Sequence, residues 1–388
     1  MYRKNVKLLK IFNFLIGFSL FAPLAIIYFS RVSGSYTLGA SIFGITMLAS
    51  AIFEVPTGIW SDRVGRRGTI ILGSWARVLA FILYAIGLSY WWLVAGAILE
   101  GLSRSFYSGN NDAFLHDTLA DDGMEGDYDE HLGKTSSTEH IAIGISGLLG
   151  GIIASFSFSY IMWLSVVAQV LTLLVSYQFI EPKSRTKLDT NLFAHLKEAL
   201  KLFIKNRKLR LLAITDAISF STGEVSFQFR SAFLQTVWPL WAIGLVSIFT
   251  SMGASLSFFF SSKLIRKFGS EKILLVRSIY GKISSLIAYG IPSIFSPLIV
   301  ITPSVLYGAG QVAKNELMQK EFTDHQRATM SSLNSLVSNI GFAIMSLVIG
   351  IFADFTSPSV ALFTITLISV PMIYLYWILF KQERKLVI

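Results

Sequence analysis

Ionisable side chains stranded inside long apolar runs are the residues of this chain that could do chemistry. Glu100 and Arg104 lie four apart and share a helical face with Tyr107 and Asn111. Asp216, Glu224 and Arg230 fall in a second run, with Ser219, Thr222, Ser226 and Gln228 around Gly223. That composition predicts a helix locally broken where it lines a cavity. A third run sets Ser304, Tyr307, Gln311 and Asn315 at helical spacing. A charge held in hydrocarbon costs about 3 kcal/mol on insertion scales, so a residue of this kind is a functional candidate. The chemistry on offer is binding of a polar solute and reversible protonation of a carboxylate. Glu224 is the first candidate for the proton, followed by Asp216 and Glu54. The candidates for lining a solute cavity are Glu100, Arg104, Tyr107, Asn111, Glu224, Arg230, Tyr307 and Gln311. Glu54 and Arg77 sit at similar depth, about 12 Å from one charged turn at ~1.5 Å per residue, and an ion pair within one bundle is their main expected role. Arg277 and Lys282 are read in the same way.

Helices that cross a membrane are needed to position such residues. The chain of 388 residues is 53% hydrophobic and only 14% charged, a balance remote from that of soluble domains. Twelve candidate spans follow along it: 11–29, 38–60, 69–90, 91–117, 139–157, 159–180, 211–235, 238–262, 272–291, 294–318, 328–353 and 357–380. Each approaches the ~20 residues that cross a ~30 Å hydrocarbon core as a helix. Backbone groups in lipid must be satisfied within the segment, and a barrel would show shorter alternating runs. The predicted fold class is an all-α membrane protein. Arg3, Lys4, Lys7 and Lys10, Arg63 to Arg67, the run from Lys183 to Arg210, Lys263 to Lys272, Lys320 and Arg327, and Lys381 to Lys385 all fall on one side. The opposite turns hold Arg31 and almost nothing else basic. By positive-inside retention both termini are cytoplasmic, and the net charge of +10 is explained by topology and anionic lipid rather than by nucleic acid. The first apolar run is long enough to span and lacks a small-residue cleavage site, so it reads as an uncleaved helix.

One charged turn stands apart. Gly58-Ile59-Trp60-Ser61-Asp62-Arg63-Val64-Gly65-Arg66-Arg67 joins spans two and three, with Asp62 and Arg66 spaced to pair. The glycines allow close helix approach and a sharp reversal. Retention of positive charge accounts for Arg63 and Arg67 but not for the acid and the glycines. A polar stretch, Glu181 to Arg210, divides the chain, giving residues 1–182, a linker 183–209 and residues 210–388. Within the linker Leu192, Leu196, Ala199, Leu200 and Phe203 face away from Lys197, Glu198, Lys201 and Lys205, as in an interfacial helix or a solvated tether. The halves are weak repeats: Gly269 follows Gly65 by 204 residues at the same place between spans, and Arg77 and Lys282 follow those glycines by 12 and 13. Arg266 stands where Asp62 would be, so the second copy is degenerate.

With the order G-x-x-x-D-R-x-G-R-R between spans two and three of twelve and a basic central loop, the chain resembles the major facilitator superfamily over essentially its whole length. The resemblance implies two pseudo-symmetric six-helix bundles that rock about a cavity lined by spans 1, 4, 7 and 10. It implies a gate made by Gly58, Asp62, Arg63, Gly65, Arg66 and Arg67 with Asp117 and the start of span eleven near Arg327-Ala328-Thr329-Met330. Gly144 to Gly151 is similar to the glycine-rich element of the family's antiporters, with Gly147 where their proline stands; ordinary helix packing is the competing reading.

Other chemistry is missing from the sequence. There is no cysteine, no H-E-x-x-H pattern among five histidines and no G-x-S-x-G. Gly133-Lys134-Thr135 lacks the glycine and strand of a phosphate-binding loop, and Asp121 to Glu130 lacks the order of a calcium loop. No catalytic residue, metal site or cofactor is expected, and the protein is not read as an enzyme. The expected function is alternating-access secondary active transport, with proton-coupled export of a small amphipathic or organic solute. A proton-coupled importer of an anionic nutrient and a lipid or lysolipid flippase are the alternatives. The expected partners are the solute, protons and membrane lipids, and the expected setting is a monomer, multi-pass, in a plasma membrane such as the bacterial inner membrane. The topology is testable because the chain is free of cysteine: a cysteine placed at Thr190 should react with an impermeant maleimide only after cells are opened, and labelling of intact cells would overturn it.

Overall fold

A computed structural model describes residues 2–183, 207–320, 324–375 and 377, and the regular structure among them is helical. Residues 184–206, with the amphipathic segment of the expected linker, lie outside that description. The chain divides into two compact units, Met1–Asp189 with Leu240–Gly244, and Thr190–Pro239 with Leu245–Ile388. The first half contains α1 (Tyr2–Gly17), α2 (Ala25–Ser33), α3 (Tyr36–Val64), α4 (Arg66–Ile86), α5 (Tyr90–Tyr107), α6 (Asn110–Ala120), α7 (Tyr128–Ala154) and α8 (Phe158–Ser176). The second contains α9 (Arg207–Val237), α10 (Leu240–Phe268), α11 (Ser270–Gly290), α12 (Ser296–Ile301), α13 (Tyr307–Lys320), α14 (Asp324–Phe355) and α15 (Pro358–Ile368).

Nine helices among the described residues are long and apolar enough to cross a membrane. The three expected spans outside that set are helices too, and they carry charge: α5 with Glu100 and Arg104, α9 with Asp216, Glu224 and Arg230, and α11 with Arg277 and Lys282. Their apolarity was traded for side chains that must be paired inside protein.

Breaks in the helices follow local chemistry. The first expected span is two helices, because Pro23 in a 3-10 turn at Ala22–Leu24 interrupts the ladder. The fourth breaks at Ser108 and Gly109, where Gly109 takes φ +68°, so Asn111 starts a new helix instead of extending the stripe from Glu100 to Tyr107. The tenth passes through a 3-10 turn, Thr302–Leu306, with Pro303 near its start. The break expected at Gly223 is absent: α9 runs unbroken for 31 residues. Hydroxyls cover the polar stretch from within, Ser221 donating to Ala217 O (2.6 Å), Thr222 to Ile218 O (2.7 Å) and Ser226 to Thr222 O (2.6 Å). These hydroxyls find their acceptors within the helix itself.

The first unit is fastened by aromatic packing. Phe12 meets Tyr107 and Phe179 edge-on at 5.6 and 5.5 Å, and Phe114 meets Phe179 at 4.8 Å. This cluster, with Val6, Leu9, Leu115 and Leu119, holds α1, α6 and the end of α8 together beside the charged turn.

The internal repeat is exact in length at one place. Helices α3 and α10 have 29 residues each, α4 and α11 have 21 each, and a single glycine separates each pair. Gly65 has φ +89° and ψ 170°, Gly269 φ +80° and ψ 148°. That corner of backbone space is open essentially to glycine alone. A Cβ on Gly269 would meet nothing within 4 Å, so the requirement there is conformational rather than spatial. Gly65→Ala should therefore cost about 1–3 kcal/mol, read as a lower unfolding temperature of the purified protein, and an unchanged transition would refute the strained corner.

Candidate functional site

The charged turn is built by three tethers around Gly65. Asn110, the first residue of α6, accepts from Ser61 Oγ at 3.0 Å and donates from Nδ2 to Arg66 O at 3.1 Å. Arg66 Nε donates to Asp117 Oδ2 at 3.2 Å, and the Asp117 side chain is only 1% exposed. The Glu181 carboxylate accepts from the backbone N–H groups of Arg66 and Arg67, both at 2.8 Å. These are orphan donors of the first turn of α4, and a carboxylate there also meets the positive end of the helix dipole. Arg67 Nη2 donates to Tyr177 O at 2.9 Å, and Arg63 is exposed. The expected neighbours Arg66 and Asp117 are thus brought together. The side chains of Asp62 and of Arg327 to Met330 lie outside the described residues, and Gly58 is half-buried in α3.

Neither Asn110 nor Glu181 was singled out from the sequence. Both are polar residues beside helix ends, where capping is common, but which terminus they cap is set by the return of α6 and α8 to the turn. Asn5 fixes that return of α8, exchanging two hydrogen bonds with the Ile180 backbone at 2.8 and 3.0 Å.

Deeper in the first unit the charges of α4 and α5 are satisfied. Arg104 donates to Glu100 Oε1 from Nη2 (2.9 Å) and Nε (3.2 Å), while Tyr84 Oη donates to Oε2 at 2.9 Å. Glu100 is 12% exposed and Arg104 44%, so the guanidinium presents the open face of the pair. Tyr107 Oη donates to Ser74 Oγ at 3.0 Å. The expected Glu54–Arg77 pair does not form. Arg77 instead donates to Gln169 Oε1 (2.8 Å) and Ile16 O (3.2 Å), and Glu54 is exposed. Two residues on neighbouring helices lie nearer to the guanidinium fork than the acid at equal depth, which sequence depth alone does not encode. Gly150 of the glycine-rich element has a packing role, since a Cβ there would stand 2.0 Å from Leu20 O.

In the second half, Asp216 pairs with Lys314 of α13, a residue not marked from the sequence because it stands near the end of its span. Glu224 has a neutral neighbour, Gln228 Nε2 at 2.8 Å, one turn along the same helix. Arg230 stacks over the Phe227 ring at 5.3 Å. Tyr307 accepts from Gln311 Nε2 at 3.2 Å and lies under Arg277 at 5.0 Å, and Lys282 donates to Ser369. In the repeat of the charged turn, Ser270 stands at the place of Arg66 and donates to Glu316 at 2.7 Å.

An all-helical, multi-pass bundle with paired charges inside its spans is the architecture of a membrane transporter. The family model of the Major Facilitator Superfamily matches residues 9–314, and the chain belongs to that superfamily. An uncharacterised MFS-type transporter of Methanocaldococcus jannaschii is 21% identical over 364 residues, 90% of this chain and 92% of that one. An uncharacterised transporter of Buchnera aphidicola is 24% identical over 195 residues, 50% of this chain, and the match spans about half of that relative (48%). Among solved structures, the nucleoside transporter NupG superposes with a TM-score of 0.81 at 13% identity, over 98% of this chain and 99% of that one. A bacterial homologue of the human lysosomal transporter Spinster, inward-facing and unoccupied, gives 0.74 at 16% identity over 97% and 95%. At these identities the likeness is one of fold.

The Arg66–Asp117 contact makes a quantitative prediction. Arg66→Met takes the guanidinium away from a buried carboxylate and should destabilise the protein by about 3 kcal/mol, whereas Arg66→Met with Asp117→Asn should recover much of that loss. Equal melting of the single and double variants would show that the pair carries no coupling.

Proposed function

We propose that the protein exports a small amphipathic or organic solute in exchange for protons by alternating access. Residues 1–182 and 210–388 act as the two moving bundles, residues 183–209 as a cytoplasmic tether, and both termini face the cytoplasm. In this reading the turn from Gly58 to Arg67, with Asp117, is a gate whose state depends on Asp62 and Arg66, and the working unit is the monomer.

The observation that carries proton coupling is the contrast between the two acids of α9. Asp216 is compensated by the Lys314 ammonium. Among the described residues Glu224 has an amide beside it, that of Gln228, and it lies about 25 Å along the helix from Arg207 at ~1.5 Å per residue, well inside the span. Glu224, half-buried and without a cation one turn away, is the carboxylate to which this reading gives the coupling proton. Glu100, engaged by Arg104 and Tyr84, instead sets the orientation of the Arg104 face toward solute.

The test uses everted vesicles with an imposed proton gradient and a solute first found by thermal shift, because a ligand of the native state raises its stability. Parent protein should accumulate the solute against its gradient. Glu224→Gln, which imitates the protonated form, should abolish that accumulation and leave downhill flux measurable. Proton-driven accumulation that survives in Glu224→Gln would sink the assignment.

A further inference from the structure

A cavity of about 190 Å³ lies within the first unit where α1, the α5–α6 break and α7 meet. Its walls include Asn13, Asn111, Asp112, Thr135 and Glu139, and Gly109 opens it by turning the chain between α5 and α6. Its walls bring several acceptors together. Asp112 and Glu139 bring two carboxylates. Asn111 Oδ1 is a buried oxygen that meets no hydrogen-bond donor among the described residues. Asn13 Nδ2 donates one of its two hydrogens to Thr135 O at 3.4 Å, and its Oδ1 is a further acceptor. The Thr135 hydroxyl donates to His131 O at 3.0 Å and that of Tyr107 to Ser74, so both present lone pairs.

Three of the nearby cations are engaged elsewhere. Lys134 pairs with Glu130. Arg104 holds Glu100. Arg77 is close enough to feel the charge of Glu139, yet its hydrogen bonds go to Gln169 and Ile16. A buried oxygen such as Asn111 Oδ1 is costly without a donor, and an occupant that carries one would relieve it.

We propose that this cavity binds a small organic cation through a primary ammonium group held by Asp112, Glu139 and the Asn111 oxygen. An ammonium offers three hydrogens and a positive charge, and those match two carboxylates and an amide oxygen. The volume is below the ~300 Å³ at which drug-sized pockets begin, which limits the occupant to a few carbons. Among the described residues no group of three or more His, Cys, Asp or Glu is placed to hold a metal ion. Calling the cation a transported solute rests on the export reading above; the binding itself does not.

The test is thermal unfolding of the full-length purified protein as n-butylammonium chloride replaces sodium chloride at constant ionic strength. The unfolding temperature should rise and saturate with butylammonium, and n-butanol or butyrate should leave it unchanged. Asp112→Asn and Glu139→Gln should each weaken the apparent affinity by about tenfold, the loss of one charge-assisted hydrogen bond. No rise, an equal rise with butanol, or the same rise in the double variant would overturn the proposal. Asp112 is exposed, so Asp112→Asn alone supplies a folded comparison if the double variant unfolds. Stabilisation that appears when sodium replaces potassium without any amine, and vanishes in Asp112→Asn, would mark an alkali-ion site and end the organic-cation assignment. Amine binding without Glu224-dependent flux would refute the export reading alone, and such flux of other solutes without amine binding would refute this site alone.

Discussion

A charge removed from water must find its partner within the protein, and in this chain that constraint organises more of the structure than any single packing contact. Insertion of an unpaired ion into hydrocarbon costs about 3 kcal/mol, comparable with the burial of one large apolar side chain. Helices α5, α9 and α11 carry several such groups and fall short of span-like apolarity, α4 carries one in Arg77, and most of these charges meet counter-charges, carbonyls, amides or hydroxyls. Glu100 has Arg104 and Tyr84, Asp216 has Lys314, Arg77 has Gln169 and Ile16, and Lys282 has Ser369. Each partner restricts where the next helix can lie.

The same constraint acts at the charged turn with a different solution. Gly65 lets the backbone reverse in a conformation closed to other residues, and the reversal exposes the first N–H groups of α4. Glu181 takes two of them, Asn110 bridges the two sides of the turn, and Asp117 neutralises Arg66. The turn is thereby tied to the ends of α6 and α8. In the repeat, Gly269 keeps the backbone but the ion pair is replaced by the bond from Ser270 to Glu316. Backbone geometry and helix lengths are shared between the halves, and the side-chain chemistry has diverged on top of them.

Helix interruptions place the polar groups. A continuous helix through Gly109 would bury the first N–H groups of α6 in its own ladder and extend the Glu100 stripe to Asn111. The break instead turns Asn111 and Asp112 toward α1 and α7. In α9 the helix stays whole around Gly223, and the hydroxyls of Ser221, Thr222 and Ser226 are satisfied by carbonyls of that same helix.

Much of this was legible in the amino-acid order alone. Span lengths, the all-helical class, the family resemblance, the reversal at Gly65 and the repeat spacing of 204 residues are local or periodic signals, written in hydropathy and in glycine positions; the rest of the expected turn, Gly58 to Val64, is the last part of α3. The spacing of Glu100 and Arg104 also sufficed, because partners one helical turn apart are neighbours whatever the tertiary fold. Pairing between helices was another matter. Arg77 was matched with Glu54 by depth and found Gln169; Asp216 found Lys314, which no local pattern marked; Glu181 reached the start of α4 from 115 residues away. Depth in the membrane constrains one coordinate of a side chain, while a hydrogen bond needs all three and a direction. The remaining two are supplied by the rotation and tilt of each helix, and those emerge only when the helices pack.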